Sequence, residues 1–408
     1  MDQDTSFEPV ARAAATPRQS MEAQRIKREV SAESLVFLGA FLLFFCFLGA
    51  RMGLVNLMNT LMGTAYDILL HTVLYIMAIA VIAGAISALL VEFGVVALIN
   101  KLISPLMMPL YNMPGASVIG IITTYLSDNP AILTLAEDPG FRRYFRKYQL
   151  PALTNLGTAY GMGMIITAFV IGLRSPSGES FAIPALIGNL GAIVGSIVSV
   201  RIMHLFTKRV YGRYEPCEVN GNADAVPAGF RSIRAGGIGT RFMEALLDGG
   251  KSGVNMGLAI IPGTIVICSV IMLLSNGPSA SGEYTGAAFE GVALLPGLGE
   301  KLDFLLNPLF GFQSSQAISV PITALGAAGA AIGLIPHLIS QGLVSGNDMA
   351  VFTAMCMCWS GYLSTHIAMM DRLGCSRLTG KAILSHTIGG LCAGVAAHWM
   401  YVLFTTIP

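Results

Sequence analysis

Two apolar runs, each too short to cross a bilayer, flank a polar tetrapeptide in the first half of the chain. The runs are Ala116–Tyr125 and Ala131–Ala136, and the tetrapeptide is Ser127-Asp128-Asn129-Pro130. A spanning helix needs roughly 20 apolar residues to cross a hydrocarbon core of about 30 Å. At a rise of about 1.5 Å per residue, each run reaches only about halfway. Residues 112–138 therefore read as a re-entrant helical hairpin. Non-helical backbone at that depth persists only where it is buried in protein or lines a watery cavity. Asp128 would then be a carboxylate near mid-membrane, which marks it as a functional candidate. The same tetrapeptide would also serve as an ordinary turn at the membrane surface, because short apolar runs are ambiguous.

Composition agrees with a membrane setting. Of 408 residues, 54% are hydrophobic and 12% are charged, about half the charged fraction of a soluble domain. Mean hydropathy is +0.68. A net charge of +1 gives no reason to expect a nucleic-acid partner. Of seven cysteines, Cys46, Cys268, Cys356, Cys358 and Cys392 lie inside apolar runs, with no zinc or disulfide spacing. They read as buried small hydrophobes. No P-loop, H-E-x-x-H, G-x-S-x-G or pair of intramembrane aspartates is present, so no enzyme is expected. No cofactor is expected beyond Na+ or H+ as a coupling ion.

The chain divides into an arm and two similar halves. Residues 1–33 form a polar arm without the pattern of a cleaved signal peptide. Residues 34–65 hold an extra transmembrane helix, Leu35–Ala50, and a loop. The first repeat, 66–206, contains spans Asp67–Leu90, Leu150–Leu173 and Phe181–Phe206, with Pro-broken Ala97–Leu110 and the hairpin between them. A polar linker, 207–251, leads to the second repeat, 252–408. There Val254–Leu274, Met349–Met370 and Leu384–Phe404 are spans, Leu298–Phe310 is amphipathic, and Gln313–Val344 is an interrupted apolar pair. Leu102–Pro109, with Ser104-Pro105, is matched to the stretch from Leu305 that holds Asn307-Pro308. Interrupted segments at matching positions of two halves point to a transporter's binding site.

Basic residues test the topology. With the arm cytoplasmic and both interrupted pairs re-entrant, 21 of the 24 Lys and Arg fall inside, and only Arg51, Arg174 and Lys301 fall outside. Cytoplasmic loops collect such residues. Asp67–Leu90 and Val254–Leu274 then run in opposite directions. The expected fold is an all-α polytopic membrane protein of two inverted repeats, each with a re-entrant hairpin and a gapped transmembrane helix.

Polar groups within these segments are the candidate site. Three glycines, Gly157, Gly161 and Gly163, weaken the first gapped span and free backbone for a ligand. Asn155, Thr158 and Tyr160 supply donors and acceptors beside them. Gly157-x-x-x-Gly161 is also a pattern for close helix packing. In the second half, Ser360, Ser364 and His366 are placed at the matching position. The ordinary pKa of histidine suits a proton-coupled step, although a lone helical histidine is also a common structural donor. Gln313, Ser314 and Gln316 open the second hairpin, either as an N-cap or as free amides for an anionic group. Asp128 and Ser127 are the candidates for the coupling ion.

The ordering of hairpin, gapped span and inverted repeat resembles the Gate (nucleoside-recognition) family over about residues 66–404. Leu102–Pro109, Ser127–Pro130 and Asn155–Gly163 carry the resemblance. That family includes spore-maturation proteins A and B and the gate regions of ferrous iron transporter B, and it shares its scaffold with the concentrative nucleoside transporters. Here two Gate modules are fused. The concentrative nucleoside transporters carry Gln and Glu in their hairpins and gapped helices, whereas this chain has Asp128, Asn129, Gln313 and Gln316. The resemblance implies a secondary transporter of a small polar solute, nucleoside-like or another small metabolite. It implies a multi-pass protein of the bacterial inner membrane with a cytoplasmic N-terminus. A non-transporting component of an envelope or spore-maturation assembly and a translocase for lipid-linked substrates are the alternatives. Glycine patterns such as Gly253–Gly257 and Gly390–Gly394 suggest a homo-oligomer.

Overall fold

A computed structural model describes residues 29–128, 131–137, 139–217, 233–279 and 281–406, with residues 133–134, 137, 139–140 and 364–365 as backbone alone. No strand occurs among the described residues. Helix α1 (Ala32–Met52) is apolar on every side, with Leu35, Val36, Phe37 and Leu43 exposed. A helix that is hydrophobic all round belongs in a core or a bilayer.

The rest of the chain contains the two repeats. Helix α2 (Leu54–Asp67) passes through a π-helical segment, Ile68–Val73, into α3 (Leu74–Glu92). Amphipathic α4 (Val95–Tyr111) is followed by a hairpin of α5 (Ser117–Leu126) and α6 (Ala131–Glu137), then by the single turn α7 (Pro139–Arg142). Helices α8 (Ala152–Thr158) and α9 (Gly163–Gly172) are the halves of a broken span, and α10 (Ala182–Tyr211) completes the set. The second repeat runs α11 (Ile238–Ser275) and α12 (Leu294–Phe310), then a hairpin of α13 (Ser319–Ala324) and α14 (Ala328–Ser340). The broken span α15 (Gly346–Cys358) and α16 (Tyr362–Arg372) follows, with α17 (Thr379–Thr406) last.

Among the described residues, six segments are long and apolar enough to cross a membrane: α1, α2 through α3, α8 through α9, α10, α11 and Ser376–Thr406. This is a multi-pass helical membrane protein. The expected span Met349–Met370 is α15 and α16, interrupted at Trp359–Gly361. The expected limit at residue 65 falls inside the continuous α2–α3 helix. Of the polar linker 207–251, Tyr211 still belongs to α10 and Ile238 already to α11. The arm up to residue 28 and linker residues 218–232 lie outside the described residues.

Backbone landmarks set the register of the repeats. Helices α4 and α12 both end in a left-handed residue, Asn112 (φ 56°) and Gly311 (φ 60°). Both broken spans resume after a left-handed residue, Met162 (φ 54°) and Gly361 (φ 59°). Each pair is separated by 199 residues. Pro109 is thus the counterpart of Pro308, and the expected match of Pro105 with Pro308 is corrected by one helical turn. Two prolines four residues apart made the choice ambiguous. The αL caps resolve it, since Asn and Gly adopt that conformation most readily.

Equivalent helices pack against each other in opposite directions. Gly84, Ala80 and Met77 of α3 meet Gly249, Gly253 and Gly257 of α11, so the pair is antiparallel. A Cβ on Gly84 or Gly253 would overlap the carbonyl of Gly249 or Ala80. Gly191, Gly195 and Ser199 of α10 meet Ala397, Ala393 and Gly389 of α17 in the same antiparallel sense. The second repeat is therefore inverted relative to the first. Gly253 and Gly257 face α3, while Gly390 packs on Trp359 and Gly394 on Met355 and Phe310. These glycines serve contacts within the chain, so the pattern that suggested an oligomer is already occupied.

Neither hairpin crosses the membrane. Helix α5 has 10 residues and α13 has 6, well short of the roughly 20 that a span needs. Ile132 of α6 fills the space over Gly120 of α5 and Gly157 of α8, which seats the first hairpin on the broken span. A loop, residues 276–293, is tied to α2 by hydrogen bonds from Asn56 Nδ2 to the Tyr284 carbonyl (2.8 Å) and from the Phe289 amide to Thr64 Oγ1 (2.8 Å). Its Glu290 carboxylate accepts from the Thr285 hydroxyl (2.7 Å) and the Gly286 amide (2.9 Å). Burial alone would raise the Glu290 pKa, but these hydrogen bonds outweigh it and hold the group below its ordinary 4.5.

Two expectations follow from this packing. Gly253→Ala should lower stability by about 1–3 kcal/mol, the usual range for overpacking. Gly263→Ala, with nothing within 4 Å of its Cβ, should be neutral or gain up to about 1 kcal/mol. Equal thermal midpoints for the two variants would contradict the α3–α11 contact. For Glu290, a lowered folded pKa means stability that is present above the unfolded value and lost as pH falls through the folded one. Thermal scans between pH 7 and pH 3 should show that acid loss in the wild type and a flatter profile in Glu290→Gln.

Candidate functional site

The broken spans bring buried polar side chains to the contact between the repeats. Helix α8 ends at Thr158 and α9 starts at Gly163, so the backbone from Ala159 to Met162 leaves the helical path. The glycines of this stretch and the αL residue Met162 allow that break. It is wholly inside protein, as an irregular segment at this depth must be. In the second repeat, Trp359–Gly361 is the equivalent gap.

Asn155 is the hub. It is fully buried on α8, and its amide nitrogen donates to Ser199 Oγ of α10 (2.9 Å) and Ser385 Oγ of α17 (2.8 Å). The first repeat thus grips the antiparallel α10–α17 pair from one side. Ser199 Oγ lies 2.8 Å from Nδ1 of His386, and His386 Nε2 lies 2.5 Å from the Cys358 carbonyl. One turn back along α8, Thr154 accepts at its carbonyl from the Thr158 hydroxyl (2.9 Å). Thr158 Oγ1 is in turn 3.4 Å from Nδ1 of buried His366 on α16. The rings of His366 and His386 are 4.7 Å apart. No carboxylate or basic side chain among the described residues forms a hydrogen bond or ion pair within this cluster.

Asn155 Oδ1 and His366 Nε2 have no hydrogen-bond partner among the described residues. Leaving a buried acceptor unpaired costs about 1–3 kcal/mol. Such an atom requires an explanation, and other buried polar atoms, among them Thr154 Oγ1 and both ring nitrogens of His204, also lack a partner among the described residues. Both open acceptors belong to broken spans, one from each repeat.

Tyr160 belongs to an adjoining group. Its hydroxyl, that of Tyr111 and Ser196 Oγ form a closed triangle with sides of 2.7, 2.7 and 2.9 Å. Ser196 is one turn from Ser199 on α10, so Asn155 and Tyr160 read successive turns of one helix. Ser360 is buried in the second gap. Ser364 lies on α16, but its side chain is outside the described residues, as is Asn129.

The described hairpin residues expected in the site lie at the first hairpin's tip and at the second hairpin's base. Ser127 donates to the Thr123 carbonyl (2.6 Å), closing its own helix, and borders a cavity of about 180 Å³ with Ser87, Thr123 and Ser252. Asp128 follows it at the tip of the first hairpin. Ser314 is the N-cap residue of the 3-10 turn that opens the second hairpin, but its hydroxyl makes no cap bond. Gln313 donates its amide to Asp348 (3.2 Å) and its side chain to the Gly342 carbonyl (3.1 Å). Gln316 lines a separate cavity of about 780 Å³ beneath the loop of residues 276–293. The glutamines therefore stand at the base of the second hairpin, away from the Asn155–His366 cluster.

The repeat register explains part of this difference. With a spacing of 199 residues, Asn155 corresponds to Ala354 and His366 to Thr167. The expected equivalence of Ser360, Ser364 and His366 with Asn155–Tyr160 is therefore corrected: Asn155 precedes its gap and His366 follows its own. Ser196, Ser199, Ser385, His386, Tyr111 and Asp348 were not anticipated. Four of them lie in spans that read as uniformly apolar. Asp348 did carry a readable signal, the capping box Ser345-x-x-Asp348.

No family model matches the chain, and no curated protein matches it. Solved structures of CNTnw, a concentrative nucleoside transporter, are similar. The inward-facing, substrate-bound structure of CNTnw has a TM-score of 0.53 and 14% identity, covering 91% of this chain and 85% of that chain. A doubly substituted CNTnw in an outward-facing state gives 0.53 and 15%, with the same coverage. A third structure, in an intermediate state, gives 0.51 and 15%, covering 79% and 74%. At this identity the similarity establishes the fold.

Replacing Asn155 with Leu removes both serine hydrogen bonds while keeping the side-chain size. The variant should lose about 1–3 kcal/mol in thermal or denaturant unfolding. An unchanged unfolding curve would mean that the α8 contact with the α10–α17 pair does not depend on Asn155.

Proposed function

We propose that the chain is a secondary active transporter of a small polar solute, nucleoside-like or another small metabolite, in the bacterial inner membrane. The observation that carries this reading is the pair of open buried acceptors, Asn155 Oδ1 and His366 Nε2, on the two broken spans. A solute N–H or O–H donor would satisfy Asn155 Oδ1, and a solute donor or a proton would satisfy His366 Nε2. Interrupted helices from two inverted repeats are the usual place for a transported ligand. The fold shared with CNTnw, whose structures include outward-facing and inward-facing states, supports alternating access.

In this reading the solute lies between the hairpin tips and the gapped helices. Asp128 at the first tip holds the coupling cation or a substrate amine, with Ser127 beside it. Asn129, Asn155, Thr158 and Ser364 orient the solute, and Tyr160 and Ser360 line the gaps. Gln313, Ser314 and Gln316, at the second hairpin's base, act on the approach to the site.

The test combines ligand-dependent thermal stabilisation with uptake into proteoliposomes. The panel comprises nucleosides, amino acids, dipeptides and organic anions, with and without sodium and at two pH values. Only a ligand of the folded state stabilises by mass action. At least one solute should raise the midpoint and accumulate, and Asp128→Ala should abolish accumulation while the protein still folds. Normal uptake by Asp128→Ala would remove Asp128 from the coupling role. No response to any solute would remove the transporter reading.

A further inference from the structure

The two neighbouring imidazoles of the central cluster are not equally committed. His386 uses both ring nitrogens. Its Nε2 faces the Cys358 carbonyl, which only accepts, so Nε2 carries the proton. Its Nδ1 then accepts from the Ser199 hydroxyl (2.8 Å), and Ser199 Oγ accepts from Asn155 (2.9 Å). His386 is a neutral, fixed tautomer with no free position.

His366 uses one nitrogen. Its Nδ1 lies 3.0 Å from the Tyr362 carbonyl and must donate to it. Thr158 Oγ1, whose own proton goes to the Thr154 carbonyl, accepts a weaker share at 3.4 Å. The ring lone pair is therefore on Nε2, which has no partner among the described residues. The groups facing this ring are His386 from α17, Thr158 from α8 and Tyr362 from its own helix, whose ring meets that of His366 edge to face at 5.3 Å. Nothing here resembles the shell of oxygen ligands that a hard cation requires, whereas a bare imidazole nitrogen is a proton acceptor.

We propose that Nε2 of His366 is the proton-binding site through which a proton gradient is coupled to solute binding. The inference rests on the transporter reading above and deepens it: with the coupling proton on His366, Asp128 takes the other role given it there, holding a substrate amine. When the site opens to water, a hydronium ion transfers its proton to the Nε2 lone pair. An N–H bond forms, a water molecule is released, and the ring becomes an imidazolium. The reverse step on the other side returns the proton to water. Protonation inverts the hydrogen-bonding sense of one atom: Nε2 changes from acceptor to donor. A solute that presents an acceptor there, such as a carbonyl or ring nitrogen, is held only with the proton. His386 needs its lone pair for Ser199 and stands 4.7 Å away, so the pair takes a single proton.

The test is nitrogen NMR of the chain in lipid nanodiscs with labelled histidine, using pH as the probe. The chain has six histidines. At neutral pH the His366 signal should show a protonated Nδ1 and a bare Nε2, and on acidification Nε2 should convert to the protonated position while His386 keeps its tautomer. The signal is assigned by its loss in His366→Gln and, independently of that variant's folding, by its proximity to the His386 ring. A His366 ring with the opposite tautomer, or one whose Nε2 stays bare until the protein unfolds, overturns the proposal. In proteoliposomes, His366→Gln should equilibrate a transported solute but no longer accumulate it against a pH gradient. Wild-type accumulation by His366→Gln overturns the proton site and leaves the transporter reading standing. No uptake by the wild type overturns the transporter reading and the coupling role with it.

Discussion

The interior depends on two places where backbone touches backbone. At the α3–α11 and α10–α17 crossings, glycines remove the side chains that would otherwise hold the helices apart. In a bilayer, where lipid tails are as apolar as leucine, helix association depends on such close packing and on interhelical hydrogen bonds. Both conditions meet on α10 and α17. Close approach at Gly191, Gly195 and Gly389 places Ser199 and Ser385 near enough for one amide, that of Asn155, to reach both. A bulkier seam would separate the serines and dissolve the hub.

The repeats share a backbone plan but not a chemistry. Their turns, caps and gaps fall at matching places, because a short hairpin and a broken span each need the same special backbone conformations. The polar side chains do not match. Ala354 stands where Asn155 would be, Thr167 where His366 would be, and Ala327 where Asp128 would be. The cluster takes its hub from ahead of one gap and its open imidazole from behind the other. A pseudo-symmetric scaffold thus produces one asymmetric polar cluster, and each repeat supplies what the other lacks.

The sequence made the scaffold legible and the site only partly so. Run lengths mark Ala116–Tyr125 and Ala131–Ala136 as too short to span, and the glycines and Pro336 mark Gln313–Val344 as interrupted. The basic residues assign the inversion because loops on one side collect them. Asn155, Thr158, Tyr160 and His366 were visible as polar groups near glycine breaks. The partners of Asn155 were not, because Ser199 and Ser385 sit in long apolar helices that nothing local marks as adjacent. A serine in such a helix commonly bonds to its own preceding turn, and only the crossing of α10 with α17 gives these two another role. The glutamines of the second hairpin looked central because of their composition. Gln313 instead ties the base, its backbone amide to Asp348 and its side chain to the Gly342 carbonyl, and Gln316 lines the neighbouring cavity.

The difference between base and tip bears on how the interior opens. At the second hairpin's base, the Asp348 carboxylate collects the Ser345 amide (2.8 Å), the Ser345 hydroxyl (2.6 Å) and the Gln313 amide (3.2 Å). Asn347 adds two bonds of 2.8 Å to the end of α12. The first hairpin has a neutral version of the same tie, with Gln149 donating to the Asn112 carbonyl (2.7 Å). Weaker ties are found near the tips. Near the second tip, a thiol, Cys268, donates to the Ala330 carbonyl, and thiols are poor donors. At the first tip, Ser87 splits one proton between the Ala83 carbonyl (2.7 Å) and the Leu126 carbonyl (3.1 Å). Freeing the second hairpin's base would strand the buried Asp348 carboxylate. Local opening follows the least stable contacts, so the second hairpin should part from α11 at its tip and pivot on its base. Such a motion would leave the glycine crossings intact.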